Sequence, residues 1–210
     1  MNFILNNKLF FLIIFLILEN NLIQSQDTDI VGFRSGLVIS NQNWITKEDQ
    51  RDFPGNNKTG LVCGLYYSHS FSKIFSLQSE MNYLQEGSKL SSSWDEKGAV
   101  FSLDYISFLV SPKFKFQFHK VLPYFQFGPR FDILFRDAMD GSWKPGNLDQ
   151  IDYGYTVGCG IEFLFSKHVG TNFEVRYNQS LNKVASFATT ADAISVQNHS
   201  FEMTIGIGLK

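Results

Sequence analysis

The chain has 210 residues, of which 44% are hydrophobic and 16% are aromatic, including 22 phenylalanines. Its formal net charge is −2 and its mean hydropathy is −0.08. Proteins that bind nucleic acid usually carry an excess of basic residues, and this chain does not, so we expect no nucleic-acid partner. The near-zero mean hydropathy does not exclude a membrane protein, because apolar and polar residues alternate in a β-barrel and average out.

The N-terminal segment has the pattern of a secretory signal. Lys8 precedes an apolar run over residues 9–18, and polar residues follow it. The run is shorter than the about 20 residues that a spanning helix needs, which argues against an uncleaved anchor. We therefore predict a Sec-type signal peptide over residues 1–26 that is cleaved, and a mature domain over residues 27–210.

Eight segments of the mature domain alternate apolar and polar residues, which is the period of a β-strand. They cover residues 31–40, 60–68, 75–83, 101–116, 122–136, 151–163, 172–178 and 201–210. Long polar segments and tight turns link them alternately, and the turns centre on Lys73, Lys120 and Lys167. Small bacterial barrels have this alternation of long extracellular loops and short periplasmic turns. The pattern predicts an all-β, eight-stranded antiparallel up-and-down transmembrane β-barrel.

The segment over residues 122–136 carries the clearest alternation. Phe125 and Phe127 fall on one face, and Arg130 and Asp132 fall on the other. Strands in soluble proteins usually span about 5–6 residues and tilted transmembrane strands about 9–11, and this alternation is longer than either. Charged side chains are costly in a dry core but can pair inside a closed barrel. The segment therefore favours a membrane-spanning strand.

The direction of the apolar face separates a transmembrane barrel from a soluble, lipocalin-like ligand-binding barrel. Eight strands enclose room only for side chains or one small ligand, so the 22 phenylalanines would not fit inside. We expect the apolar face to contact lipid and the charged residues of the polar face to pair in the lumen. This predicted lumen charge network comprises Arg34, Glu80, Lys113, Lys115, Arg130, Asp132, Glu162, Glu174, Arg176 and Glu202.

Cys63 and Cys159 are the only cysteines. The predicted strand order puts them on the second and sixth strands, nearly across the barrel from one another. A disulfide requires Cα atoms within about 7 Å, so we predict two free thiols that act as small apolar residues.

Histidines raise two chemical hypotheses. His69, His119 and His168 lie beside the tight turns, which suggests a metal site, but each belongs to a separate hairpin without a local ligand pair. His199 precedes Ser200, but a hydrolase would also need an acidic residue to converge on them. We therefore expect ordinary turn histidines, no catalytic residue, no metal and no cofactor.

The three tryptophans, Trp44, Trp94 and Trp143, lie in or beside different long polar segments. Tryptophan concentrates at membrane interfaces, so an aromatic girdle or packing between loops is the simpler interpretation. The alternative is an outer surface that binds glycan or protein. These residues are the candidate outer-surface contacts.

Five segments carry a resemblance to a known family: FSLQSEMNY at 75–83, LDYISFLVSPK at 103–113, PYFQFGP at 123–129, GCGIE at 158–162 and FEVRY at 173–177. Together they resemble the PorT-like outer-membrane β-barrel domain family of Bacteroidetes-type bacteria. Family members often have Glu where this chain has Ser107, and often end on an aromatic residue where this chain ends Leu209-Lys210. The resemblance implies barrel architecture and says almost nothing about activity.

The predicted function is that of a non-enzymatic integral protein of the bacterial outer membrane with a structural, surface-interaction or secretion-associated role. The secretion role is implied only by the resemblance to the PorT-like family. A lipid-modifying outer-membrane enzyme and a soluble lipocalin-like barrel remain as alternatives. Expected partners are outer-membrane lipid, the barrel-assembly machinery during biogenesis, and an unidentified surface or secretion partner.

Overall fold

The computed structural model describes residues 28–46, 52–54, 56–92, 95–118, 120–140, 147–166, 168–188 and 193–210. The predicted signal peptide over residues 1–26 lies outside these ranges. The strands are β1 (Thr28–Thr46), β2 (Asp52–Pro54), β3 (Asn56–Ser70), β4 (Phe75–Ser92), β5 (Asp95–Lys115), β6 (Val121–Asp140), β7 (Asn147–Leu148), β8 (Ile151–Leu164), β9 (Val169–Ser180), β10 (Ala185–Ala188) and β11 (Ala193–Leu209). Within the described ranges, no helix has the length and apolarity needed to cross a bilayer.

Antiparallel pairing closes the sheet into a barrel. The strand order is β2-β1-β3-β4-β5-β6-β8-β9-β11-β10-β7, and β1 also pairs with β11. The closing pair runs from Val31 opposite Leu209 to Thr46 opposite Ile194. The barrel wall consists of β1, β3, β4, β5, β6, β8, β9 and β11, whereas β2, β7 and β10 are short additions at one end. The predicted eight-stranded up-and-down fold is confirmed.

The strands extend further than the apolar alternation indicated. β4 and β5 stay paired from Leu84 opposite Tyr105 to Leu90 opposite Ala99, although residues 85–99 were predicted as a loop. β11 likewise begins at Ala193 rather than near residue 201. Beyond the bilayer the outer face of a strand meets water instead of lipid, so polar residues can continue the hydrogen-bonded ladder without an apolar outer face. For these residues the loop prediction is wrong.

Apolar side chains cover the outside of the barrel. Phe127 is 49% exposed, whereas its neighbour Gln126 is 0% exposed. The same outward parity holds on every wall strand, as shown by Leu37, Leu65, Met81, Phe108, Phe131, Val157, Phe173 and Ile205. A soluble monomer rarely exposes an apolar patch of more than a few hundred Å², so this apolar belt faces lipid and the lipocalin-like alternative is wrong.

The alternation on β6 ends at a bulge. The β5–β6 register shifts so that Tyr105 lies opposite Leu134 and Asp104 lies opposite Arg136. A strict period of two along residues 122–136 puts Arg136 on the polar face with Arg130 and Asp132, but Arg136 is exposed. Phe135 is the extra residue of this bulge. Because a bulge places two residues of one strand opposite one residue of its partner, the alternation of inward and outward side chains is interrupted there.

An apolar cluster fills the lumen toward the end with the short additional strands. It comprises Val38, Val62, Leu84, Phe101, Leu103, Tyr105, Val184 and Val196, with Leu134 and Leu148 packed against it. Val184 is held there because its N–H donates to the Val196 carbonyl at 2.8 Å and its carbonyl accepts from Asp149 N at 3.0 Å. We call this group the apolar cap. The alternation did not predict this apolar filling of the lumen.

Candidate functional site

The ten residues of the predicted lumen charge network all lie on the inner face of the barrel. They form three groups along its axis, which we name by position. The turn-end group lies nearest the tight turns, the central group lies in mid-barrel, and the cap-end group lies toward the apolar cap.

The central group crosses the lumen between four strands. Arg34 on β1 donates from Nη1 to Glu80 Oε2 on β4 at 2.8 Å, and the same nitrogen lies 3.6 Å from Glu174 Oε1 on β9. Arg176 on β9 also pairs with both Glu80 and Glu174. Glu202 joins from β11, with its Oε2 3.6 Å from Arg34 Nη2. Arg34 therefore lies beside three carboxylates and Arg176 pairs with two of them, which compensates charges that have left water.

The cap-end group contains a residue that the sequence analysis missed. Arg130 Nε lies 2.8 Å from Asp132 Oδ2, and Arg130 Nη1 donates to Glu86 Oε1 at 3.2 Å. Ser200 Oγ also donates to Glu86 Oε1, at 2.7 Å. Glu86 was missed because residues 85–99 were interpreted as a loop, although the inward parity of Glu80 continues to it.

The turn-end group has two cations on one carboxylate. Lys113 Nζ donates to Glu162 Oε1 at 3.1 Å, and Lys115 Nζ lies 3.0 Å from Glu162 Oε2. Lys113 Nζ also lies 4.0 Å from the ring centroid of Tyr124, a cation–π arrangement. This group is the boundary between the filled lumen and an open cavity.

That cavity has a volume of about 510 Å³ and opens between the tight turns. We call it the vestibule. Its lining includes Tyr66, Ser68, Ser72, Lys115, Glu162 and Asn172. The Tyr66 hydroxyl accepts a hydrogen bond from Asn172 Nδ2 at 3.1 Å and so closes the floor.

Glycines let aromatic rings lie flat across the barrel at this level. A Cβ added at Gly32 would lie 2.2 Å from Tyr66 Cζ, and one at Gly160 would lie 2.5 Å from the Tyr124 hydroxyl. Neither ring could keep its position with a side chain there. The two tyrosines therefore seal the boundary between the vestibule and the central group.

The mid-barrel is filled rather than open. Arg34, Glu80, Gln126 and Arg176 are each at most 5% exposed, and the apolar cap lies beyond them. A water-filled pore would leave the side chains along its path exposed, as the wide lumen of a porin does. The described lumen is therefore sealed toward the cap and open only as a vestibule at the turn end.

Comparison with known families decides the class of barrel. The model of the outer membrane protein beta-barrel domain family matches residues 24–186. The chain belongs to this family. Its place is thus the bacterial outer membrane, with the apolar belt in contact with lipid. Because tight turns face the periplasm in such barrels, the vestibule opens to the periplasm and the apolar cap lies at the extracellular end.

Solved structures of outer-membrane barrels share the fold. The outer membrane protein OprG from Pseudomonas aeruginosa superposes with a TM-score of 0.58 at 12% identity, over 87% of this chain and 96% of OprG. Neisserial surface protein A gives a TM-score of 0.52 at 16% identity, over 89% of this chain and 99% of that one. AlkL gives 0.51 at 14% identity, over 89% and 92%. At such identities the likeness shows the fold alone. The curated proteins contain no match to the chain.

The candidate outer-surface tryptophans are not placed by the structure. Trp94 and Trp143 lie outside the described residues. Trp44 belongs to β1 through its backbone, opposite Val196, but its side chain lies outside the described part as well. Their contribution to an outer surface therefore stays a prediction.

The histidines and cysteines lie apart from one another. His199 and Ser200 are consecutive on β11, so their side chains point to opposite faces, and the Ser200 hydroxyl is bonded to Glu86 inside the lumen. They do not form a catalytic pair. In the described ranges no group of three His, Cys, Asp or Glu residues could hold a metal, and His119 lies outside those ranges. Cys63 on β3 and Cys159 on β8 are free thiols.

Proposed function

We propose that this chain is a non-enzymatic, non-conducting barrel of the PorT-like type, with a secretion-associated or structural role that it performs through its periplasmic end. One observation carries the proposal: the lumen is sealed by the central group and the apolar cap but is open as a vestibule on the periplasmic side. A sealed lumen does not suit general permeation, so the activity belongs to the ends of the barrel. The resemblance in five sequence segments supports the PorT-like assignment.

We propose a different partner for each part of the barrel surface. Outer-membrane lipid contacts the apolar belt, and the barrel-assembly machinery inserts the folded wall. A secretion or envelope partner contacts the periplasmic turns. Nucleic acid is not proposed as a partner.

A surface-interaction role is the second candidate, and the length of the strands at the cap end favours it. β4 and β5 remain paired up to Ser92 and Asp95, well beyond the apolar belt. The paired backbones of this hairpin project from the membrane, where a glycan or protein could bind.

Planar-bilayer recording on the folded protein tests the sealed lumen. We expect no steady ion conductance above that of the bare bilayer. A stable, voltage-independent conductance step would contradict the proposal, because it requires a continuous water path past the central group. The matched reference is a general porin reconstituted at the same protein-to-lipid ratio.

A deletion strain tests the role. We expect a defect in protein secretion or envelope integrity that the wild-type chain restores. A defect confined to surface attachment would instead favour the second candidate. Lipid hydrolysis by the purified protein that disappears in His199→Ala would favour the enzyme alternative.

A further inference from the structure

We propose that the vestibule is a binding site for a phosphate-bearing ligand, either a phospholipid headgroup or a soluble phosphate ester. This inference rests on the proposed function, since it names the ligand class of the same periplasmic end. Four features of the vestibule support the proposal: its charged residues, its serine hydroxyl groups, its volume and its position.

The charge of the vestibule is unbalanced toward the positive. Lys115 belongs to the described lining, in which Glu162 is the only acidic side chain. Lys113, which lies outside the lining, also pairs with Glu162. Lys73 and Lys210 are further basic residues of the lining. Asp29 belongs to the same rim but lies on the outer face, where it accepts a hydrogen bond from Tyr67 at 2.8 Å. The cavity therefore attracts an anion rather than a cation.

Hydroxyl groups add neutral donors around these cations. Ser68 Oγ is buried and has no hydrogen-bond partner in the structure. Ser72 Oγ accepts from Phe75 N at 3.0 Å, and Ser166 Oγ accepts from Val169 N at 3.1 Å. In both turns the hydroxyl has thus used a lone pair and keeps its proton for another acceptor. A group with many lone pairs and no donor, such as a phosphate, matches this lining.

The size and walls of the vestibule fit more than an isolated ion. Its volume of about 510 Å³ lies in the range of roughly 300–1,000 Å³ that is typical of small-molecule pockets. Ile30, Leu122 and Leu164 give it apolar walls between the polar floor and the mouth. Such a cavity takes a molecule with an anionic head and an apolar or carbon-rich remainder.

The position of the mouth brings lipid headgroups within reach. Phe118 and Phe165 lie on the periplasmic turns and are 64% and 76% exposed. Exposed aromatic residues at the edge of a barrel sit at the level of the headgroups of the adjacent leaflet. Phospholipid phosphates therefore lie beside the mouth, while soluble phosphate esters reach it from the periplasm.

Calorimetric titration of the full folded chain in a zwitterionic detergent tests the site, with inorganic phosphate and sn-glycerol 3-phosphate as probes. A parallel arm measures phospholipid retention by native mass spectrometry after incubation with phosphatidylglycerol. Lys115→Gln should weaken binding at least about tenfold, the loss expected for one charge-assisted hydrogen bond. Glu162 keeps Lys113 as its partner in this variant. Lys120→Gln is the matched control, because Lys120 is an exposed lysine on one of the three turns around the mouth but does not line the vestibule.

The results of these experiments distinguish the two sources of ligand and also show whether the proposal is wrong. Binding of both small probes that is lost in Lys115→Gln but kept in Lys120→Gln supports the proposal with a soluble ester as ligand. Retention of phosphatidylglycerol alone, with the same pattern in the variants, supports it with a lipid headgroup as ligand. Equal weakening by the two variants indicates nonspecific surface charge and overturns the proposal, as does the absence of binding in every arm.

A second variant keeps the test valid if Lys115→Gln does not fold. Ser68→Ala preserves the charge and removes only the unpartnered hydroxyl, and we expect a several-fold loss of affinity from it. Unchanged affinity in Ser68→Ala together with an unfolded Lys115→Gln would contradict the assigned ligand geometry. The bilayer recording is independent of these titrations, so a failure here leaves the sealed lumen standing.

Discussion

Pro112 and Pro129 direct their backbone nitrogens into the same seam of the barrel, between β5 and β6. The direction follows from the hydrogen bonds next to them: Lys115 N donates to Ile74 O on the β4 side, and Phe116 N donates to Pro123 O on the β6 side. Even-numbered residues of β5 therefore turn their nitrogens toward β6, and Pro112 is one of them. The odd-numbered residues of β6 that lie opposite them turn their nitrogens toward β5, and Pro129 is one of these.

The ladder is interrupted where these prolines lie. The β5–β6 pairing stops at Leu109 opposite Arg130 and resumes, in the same register, at Lys113 opposite Gln126. Proline has no N–H to donate, so two carbonyls across this seam, those of Val110 and Phe127, lack their ladder donors inside the bilayer. This seam is the weak point of the wall.

Restoring one donor should strengthen the seam. In Pro129→Val the new N–H faces the Val110 carbonyl, and we expect a gain of about 0.5–1.5 kcal/mol in the free energy of unfolding. Pro123→Val is the matched control, since it changes the entropy of the unfolded chain equally but lies near the periplasmic water. Urea titration in lipid vesicles measures both. A Pro129→Val variant no more stable than Pro123→Val would show that the seam is not limited by this donor.

Breaking the central group should cost far more than removing an exposed arginine. Arg176→Ala leaves Glu80 and Glu174 with Arg34 as their remaining arginine, and we expect a loss of about 3–5 kcal/mol because a buried carboxylate becomes uncompensated. Arg136→Ala removes the same side chain from an exposed site on the same barrel and should stay within about 0.5 kcal/mol. Similar losses in the two variants, measured by the same urea titration, would contradict the buried pairing.

The inward and outward parity of the wall could be predicted from the sequence because lipid and lumen impose opposite demands on adjacent residues. Phe127 and Gln126 are next to one another and differ completely in exposure. The period of two needs no long-range information, so a single strand reveals it. The ten lumen residues were chosen among the charged residues at inward positions of the predicted strands.

The cap-end features could not be predicted in the same way. Glu86 and Val196 lie on strand extensions outside the bilayer, where the apolar alternation that identifies a strand is absent. Val184 reaches the apolar cap through backbone bonds to Val196 and Asp149, which no local pattern signals. The vestibule forms because three separate turns meet around one mouth. They meet only when the sheet closes into a barrel, so no single segment of the sequence indicates the cavity.

The native cysteines report on the lipid face. Cys63 and Cys159 have the outward parity, so in lipid nanodiscs we expect them to react with a lipophilic maleimide and to resist a sulfonated one. Lys183→Cys supplies an exposed thiol that should react readily with both reagents. Rapid labelling of the native pair by the sulfonated reagent would place them in water.

The most direct test of the account places the same charge on two neighbouring residues. Phe127→Lys puts an ammonium group into lipid near the middle of the wall, and we expect it to cost about 2–4 kcal/mol of folding free energy in vesicles. Gln126→Lys keeps a donor toward Glu174 Oε1, which Gln126 Nε2 contacts at 3.1 Å, so its cost should be clearly smaller. Folding titrations of both variants in lipid vesicles measure the difference. Equal costs, or a larger cost at Gln126, would show that the polar face is not the lumen and would contradict the account.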